Sequence, residues 1–216
     1  GYLALGQVVA PTLLALLGID QDALSARGTA LLHLSLDVGE LALTILILYR
    51  CLYRFRPRRK LGLFPLRWDG GRWLALVALA ACTVPAINWT AQRSGAWAPG
   101  DGGEAWSGSL EEHHASGDWA GVAMYVVVVA LLAPRWEEAV FRGFLLPSLG
   151  ALLPAPGAAL VSALVFAGAH VRASAFAPLL LLGVVLAFLY QRCRNLLPPI
   201  VLHGAWNLYV LSHLYR

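Results

Sequence analysis

The sequence predicts an all-α fold, a polytopic transmembrane bundle of about seven or eight helices with a polar cavity inside the membrane. Hydrophobic residues make up 59% of the chain and charged residues 13%, and the mean hydropathy is +0.66. This balance is typical of membrane proteins rather than soluble domains. Apolar stretches near the bilayer-crossing length of about 20 residues recur along the chain. Ionisable residues interrupt several of them, which is why a polar cavity is expected among the helices.

About seven spans of this length use most of the 216 residues. We therefore expect residues 1–216 to form a single integral-membrane domain, with the functional motifs in a core at about 119–212. Cys51, Cys82 and Cys193 are widely separated and odd in number. They predict neither a disulfide framework nor a zinc signature.

The apolar segments are expected to form the spans in chain order. The first has no basic flank and no clear small-residue cleavage site, so it is interpreted as a span rather than a signal peptide. The fourth is one long helix in which we expect a kink at Pro134. The predicted spans are approximately residues 2–18, 30–51, 73–90, 119–149, 156–171, 175–190 and 196–215.

Basic residues concentrate between the second and third predicted spans. The positive-inside rule places this loop, residues 50–72, in the cytoplasm. A patch for anionic lipid is the alternative, and no nucleic-acid partner is expected. The loop composition suggests a bacterial inner membrane. The basic residues are Arg50, Arg54, Arg56, Arg58, Arg59, Lys60, Arg67 and Arg72.

The segment 92–118 is rich in glycine and acidic residues and is expected to be an extracytoplasmic loop. His113 and His114 lie in it. Adjacent histidines in a polar loop are interpreted here as solvated side chains rather than as a metal-binding pair.

Three charged residues lie close together inside the fourth span. Glu138 and Arg142 are four residues apart, on one face of a helix and in the favourable order for an ion pair. Glu137 points about 100° away and is left without a local partner. Charge at membrane depth indicates a functional site, and a charge-balanced structural kink near Pro134 is the alternative. Glu40, in the second span, is a second candidate partner for Arg142.

Two further motifs place polar residues in apolar segments. Phe166-Ala-Gly-Ala-His170 carries one histidine, and His203-Gly-Ala-Trp-Asn207 places a histidine and an asparagine on one helical face. With the Glu-Glu-x-x-x-Arg motif, this ordered set resembles the CAAX-protease and bacteriocin-processing (CPBP, or Abi) family. Members of the family include intramembrane glutamate-type endopeptidases such as the Ras-converting type. The resemblance covers residues 137–207, and the ordered set is far more specific than any one motif.

The proposed topology brings these side chains to a common depth. Counted from the inner end of its span, Glu137 stands roughly 18 Å and His170 roughly 20 Å into the membrane. His203 and Asn207 stand roughly 12 to 18 Å, and Glu40 roughly 15 Å. The motif match did not require this agreement.

These residue types are the parts needed to hydrolyse an amide. A buried carboxylate, Glu137, can act as general base on a water that His170 holds. His203 and Asn207 can donate to the developing oxyanion. The resemblance implies the same assignment, with Glu138, Arg142, Phe166 and Glu40 as supporting residues. It also implies a membrane-associated peptide or protein substrate, a lipid-modified one included.

The sequence also allows interpretations other than a metal-free endopeptidase. No cofactor is expected, but zinc held by Glu137, His170 and His203 is the less favoured alternative. The same cavity could instead bind a partner in a catalytically silent scaffold or bacteriocin-immunity protein. A transporter would predict internal repeats, and the sequence has no convincing repeat.

Overall fold

The computed structural model describes residues 12, 14–18, 24–53, 66–68, 71–95 and 105–213. Most of the predicted first span and the basic run 54–60 lie outside these residues. In the described part of the chain the regular structure is helical, which confirms the all-α prediction. The helices are α1 (Ala26–Tyr53), α2 (Leu74–Ala81), α3 (Val84–Arg93), α4 (Ala105–Ala115), α5 (Trp119–Leu149), α6 (Ala155–Ala169), α7 (Ala173–Cys193) and α8 (Leu197–His213).

Four stretches of the described chain are long and apolar enough to cross a membrane: Arg27–Leu48, Leu74–Arg93, Trp119–Leu149 and Ala173–Cys193. They make the protein an integral membrane protein. Helices α6 and α8, which were also predicted as spans, have 15 and 17 residues. Helices of this length rise about 22 to 26 Å, less than the hydrocarbon thickness of about 30 Å.

Helix α5 is the irregular centre of the bundle. Two segments of it, Val127–Leu132 and Ala139–Leu145, form wider π-helical turns. A proline follows each segment at the second position, Pro134 after the first and Pro147 after the second. A proline ring removes one main-chain donor and clashes with the carbonyl four residues earlier, so it favours a widened turn before it. The helix therefore widens ahead of Pro134, where the sequence predicted a kink, and Glu137 and Glu138 lie between the two widened segments.

Small residues let the helices approach one another around α5. A Cβ on Gly183 of α7 would lie 3.0 Å from the Ala163 Cβ of α6. A Cβ on Gly204 of α8 would lie 2.5 Å from the carbonyl oxygen of Ala130 in α5. Close approach of backbones through small residues is the usual packing mode of membrane helices.

The predicted third span is divided in two. The chain turns at Cys82 and Thr83, and α3 starts with Pro85 in its first turn. Because proline cannot donate back to the preceding turn, it starts the new helix instead of continuing α2.

Part of the predicted loop 92–118 is helical, since α4 covers Ala105–Ala115. The prediction that His113 is solvated was wrong, because only 1% of this residue is exposed. Its Nδ1 lies 3.0 Å from the carboxylate of Asp118. Gly121 makes room for the ring, since a Cβ there would overlap it. This burial results from α4 packing against the start of α5, which the local sequence does not reveal.

Candidate active site

The pair predicted from helical spacing is present and fully buried. Arg142 Nη1 donates to Glu138 Oε1 at 2.6 Å, and neither side chain is exposed. Arg142 Nη2 donates to the carbonyl of Gly183 in α7 at 3.1 Å. The guanidinium also lies 4.5 Å from the ring centroid of Phe166. The structure thus pairs Arg142 with Glu138 rather than with Glu40, and ties α5 to α7 through the same guanidinium.

Glu137 points away from this ion pair and towards two histidines. Its Oε2 lies 3.7 Å from Nε2 of His203 and 4.0 Å from Nε2 of His170. The side chain is completely buried, and among the described residues neither carboxylate oxygen accepts a hydrogen bond. A buried carboxylate without a donor is unusual, and a catalytic role is one of the explanations for such a group.

The two imidazole rings are oriented alike. His170 Nδ1 lies 2.8 Å from the carbonyl of Phe166, and His203 Nδ1 lies 2.9 Å from Glu138 Oε1. Both partners are acceptors, so we assign the proton of each neutral ring to Nδ1. Each Nε2 then presents a lone pair on the side of Glu137. Fixing one ring nitrogen to orient the other is the usual way a protein sets the role of a histidine.

Phe166 supports both rings. Its ring packs edge-on against His170 and His203, with centroids 4.9 and 5.7 Å apart. It is completely buried. The phenylalanine of the second motif therefore fills the space between the histidines of α6 and α8.

Asn207 is anchored to α5. Its Nδ2 donates to the carbonyl of Val129 at 2.8 Å, and the residue is partly exposed. A carboxamide nitrogen carries two N–H groups, so one remains for a further acceptor.

Two carboxylates of α1 lie near the cluster. Asp37 and Glu40 lie on α1, which packs against the segment Ala133–Glu138 of α5. Asp37 is 5% exposed. Asp37 is not among the residues that the sequence analysis assigned to the site.

No group of three or more His, Cys, Asp and Glu side chains among the described residues is arranged to hold a metal ion. The possible zinc ligands named from the sequence lie close together, with both histidine Nε2 atoms on the side of Glu137.

Fold and site together define an integral membrane protein of helices in which buried carboxylates and histidines meet between α5, α6 and α8. Residues 119–209 match the family model of the Rce1-like proteins, described as type II CAAX prenyl endopeptidases. The match confirms the resemblance to CAAX proteases over this part of the chain and contains all three motifs. No match was found among curated proteins or among solved structures.

Proposed function

We propose that this protein is a CAAX-type intramembrane endopeptidase that hydrolyses a peptide bond in a membrane-associated peptide or protein. The Rce1-like match supports the class of enzyme. The observation that carries the mechanism is the orientation of His170 and His203, whose Nε2 atoms both lie within 4.0 Å of the Glu137 carboxylate.

Glu137 is the general base in this mechanism. Its carboxylate removes one proton from a water molecule while the water oxygen attacks the carbonyl carbon of the substrate. His170 accepts a hydrogen bond from the same water through Nε2 and so directs the oxygen. When the C–N bond breaks, the proton held by Glu137 passes to the leaving nitrogen, and the carboxylate is regenerated.

Asn207 and His203 stabilise the oxyanion of the tetrahedral intermediate. Asn207 donates the N–H that Val129 does not use. Neutral His203, with its proton on Nδ1, has no donor at Nε2, so this role requires the doubly protonated ring. The Glu138 carboxylate at Nδ1 stabilises that imidazolium. The second acid of the Glu-Glu pair therefore supports the second histidine.

Substrate selection involves an apolar groove of about 750 Å³ next to the site. It lies between α1, α5 and α8, and Gly204, the neighbour of His203, lines it. We propose that the groove receives the apolar chain of a lipid-modified substrate. The basic segment 50–72 lies on the cytoplasmic side of a bacterial inner membrane in this proposal.

The test is cleavage of a peptide library, with and without lipid modification, by the purified protein in detergent. Glu137→Gln keeps the shape of the side chain and removes its basicity, so cleavage must disappear. Activity that survives a strong chelator supports the metal-free mechanism. Chelator-sensitive activity restored by zinc would instead make Glu137, His170 and His203 ligands. Unchanged activity in Glu137→Gln would contradict the assignment of the base.

A further inference from the structure

The carboxamide of Asn207 donates to a main-chain carbonyl that would accept a hydrogen bond within α5 if this helix were regular. Asn207 Nδ2 donates to Val129 O, which lies in the first widened segment of α5. There the N–H of Ala133 donates to Val128, five residues back. In an α-helix the same N–H would donate to Val129, four residues back. The widened turn therefore takes this donor away from Val129.

The next donor along the helix is missing as well. In the widened register the N–H for Val129 would come from the residue five positions later, which is Pro134 and has none. The proline ring also clashes with the carbonyl four residues before it, that of Ala130, and so opposes closure of the turn. Val129 is buried, and a buried carbonyl needs a donor. Asn207 supplies one from α8.

We propose that Pro134 is a positioning residue for Asn207. By keeping the Val129 carbonyl out of the helical hydrogen bonds, Pro134 gives the carboxamide a fixed acceptor and leaves its second N–H for the oxyanion. The absence of a side chain on Gly204 permits the contact, because α8 lies directly against the Ala130 carbonyl. The inference rests on the proposed function, in which Asn207 contacts the substrate.

Pro134→Ala tests this directly. It restores a main-chain N–H and removes the ring, so the turn can close and Val129 can bond within α5. We expect kcat to fall about 10- to 100-fold with KM within about twofold, because a displaced oxyanion donor loses part of the effect of a deleted one. Pro156→Ala is the control, since Pro156 is an exposed proline in the first turn of α6 and lies outside both widened segments. It should leave kcat unchanged.

A double-mutant cycle separates positioning from general damage to the helix. In the Asn207→Ala background, Pro134→Ala should have no further effect on kcat, since the side chain that it positions is gone. Independent, multiplicative losses would overturn the proposal, and so would an unchanged kcat in Pro134→Ala alone.

Two further measurements test the proposal where Pro134→Ala does not fold or where no cleavage can be measured. Pro134→Val restores the same N–H at similar volume, and it replaces Pro134→Ala if that variant does not fold. Infrared spectra of protein labelled with ¹³C-carbonyl valine need no substrate. Asn207→Ala should move one valine carbonyl band to higher frequency, and spectra without this change would overturn the inference even where the proposed function holds. A shifted band in a protein that cleaves nothing would support the Val129 contact while the proposed function fails.

Discussion

Glu138 Oε1 accepts two hydrogen bonds, one from Arg142 Nη1 at 2.6 Å and one from His203 Nδ1 at 2.9 Å. One carboxylate oxygen therefore joins the internal ion pair of α5 to the histidine of α8 that faces Glu137. The two acids of the Glu-Glu motif therefore make different contacts, because Glu137 lies on the Nε2 side of both histidines and Glu138 lies at Nδ1 of His203.

Glu138→Gln tests this division. The amide keeps the size of the side chain but removes the charge that stabilises protonated His203. We expect kcat to fall about 10- to 100-fold, as for other groups that orient a catalytic histidine, with little change in KM. Glu137→Gln, the same substitution one residue earlier, should abolish turnover. Equal losses in the two variants would contradict the separate roles.

Gly204→Ala should separate α5 from α8. The new Cβ would lie 2.5 Å from the Ala130 carbonyl oxygen, so one backbone must shift. Overpacking of this kind destabilises a protein by about 1–3 kcal/mol, which thermal unfolding in detergent can measure. Gly39→Ala in α1 is the matched control, because a Cβ there meets no atom within 4 Å. A Gly204→Ala protein as stable as the control would show that the helices do not need this contact.

Val171→Gly should stabilise the protein. Val171 follows His170 with a φ of 52°, a left-handed conformation that is unfavourable for a β-branched residue. Glycine adopts this conformation freely, although it also raises the conformational entropy of the unfolded chain. We expect the net increase in the free energy of unfolding to be about 1 kcal/mol. Arg194→Gly, at the other non-glycine residue with positive φ among those described, should act in the same direction by a smaller amount. An unfolding temperature lowered by Val171→Gly would refute the prediction.

Acid should weaken the contact between α1 and the start of α5. Arg27 donates two hydrogen bonds to Asp118, at 2.8 and 2.9 Å, and lowers the pKa of the Asp118 carboxyl from its ordinary value. A carboxyl whose pKa is lower in the folded than in the unfolded state stabilises the folded state at pH values above its unfolded pKa of about 4. This contribution is lost as the pH falls below that value.

The matched variant for this contact is Asp118→Asn, which keeps the hydrogen bond to the N–H of Gly121 but lacks the charge. The difference in stability between wild type and variant should be constant from pH 7 to about pH 5 and shrink below about pH 4. His113 also faces Asp118, so the comparison should be repeated in a His113→Gln background. A difference that does not depend on pH would show that the charge of Asp118 contributes nothing.

Filling the apolar groove should affect lipid-modified substrates selectively. Ala205 and Leu131 line it and are exposed, so tryptophan at either position occupies space without disturbing a buried core. We expect Ala205→Trp to raise KM for a lipid-modified peptide about fourfold for each methylene group that it displaces from the groove, since a buried methylene group contributes about 0.8 kcal/mol. KM for the unmodified peptide should not change. Ala177→Trp, at an exposed position of α7, is the control.

Several features of the site follow from local periodicity and were predicted on that basis. The spacing of Glu138 and Arg142 places them on one turn of any helix, whatever surrounds it. The burial of charge in apolar segments and the order of the motifs indicated the helical class and the family. The contact of Glu138 with His203 is different, because 65 residues separate the two. It depends on how α8 crosses α5.

The sequence by itself determined the helical membrane fold, the charged pair of α5 and the candidate residues Glu137, His170 and His203, which lie together in the structure. The tertiary structure decided how Glu137 and Glu138 divide their contacts, which carbonyl holds Asn207, and that His113 is buried. The physical reason is the range of each interaction. Helical periodicity and hydropathy act within a few turns, whereas α8 meets α5 through residues far apart in the sequence, such as Gly204 against the Ala130 carbonyl.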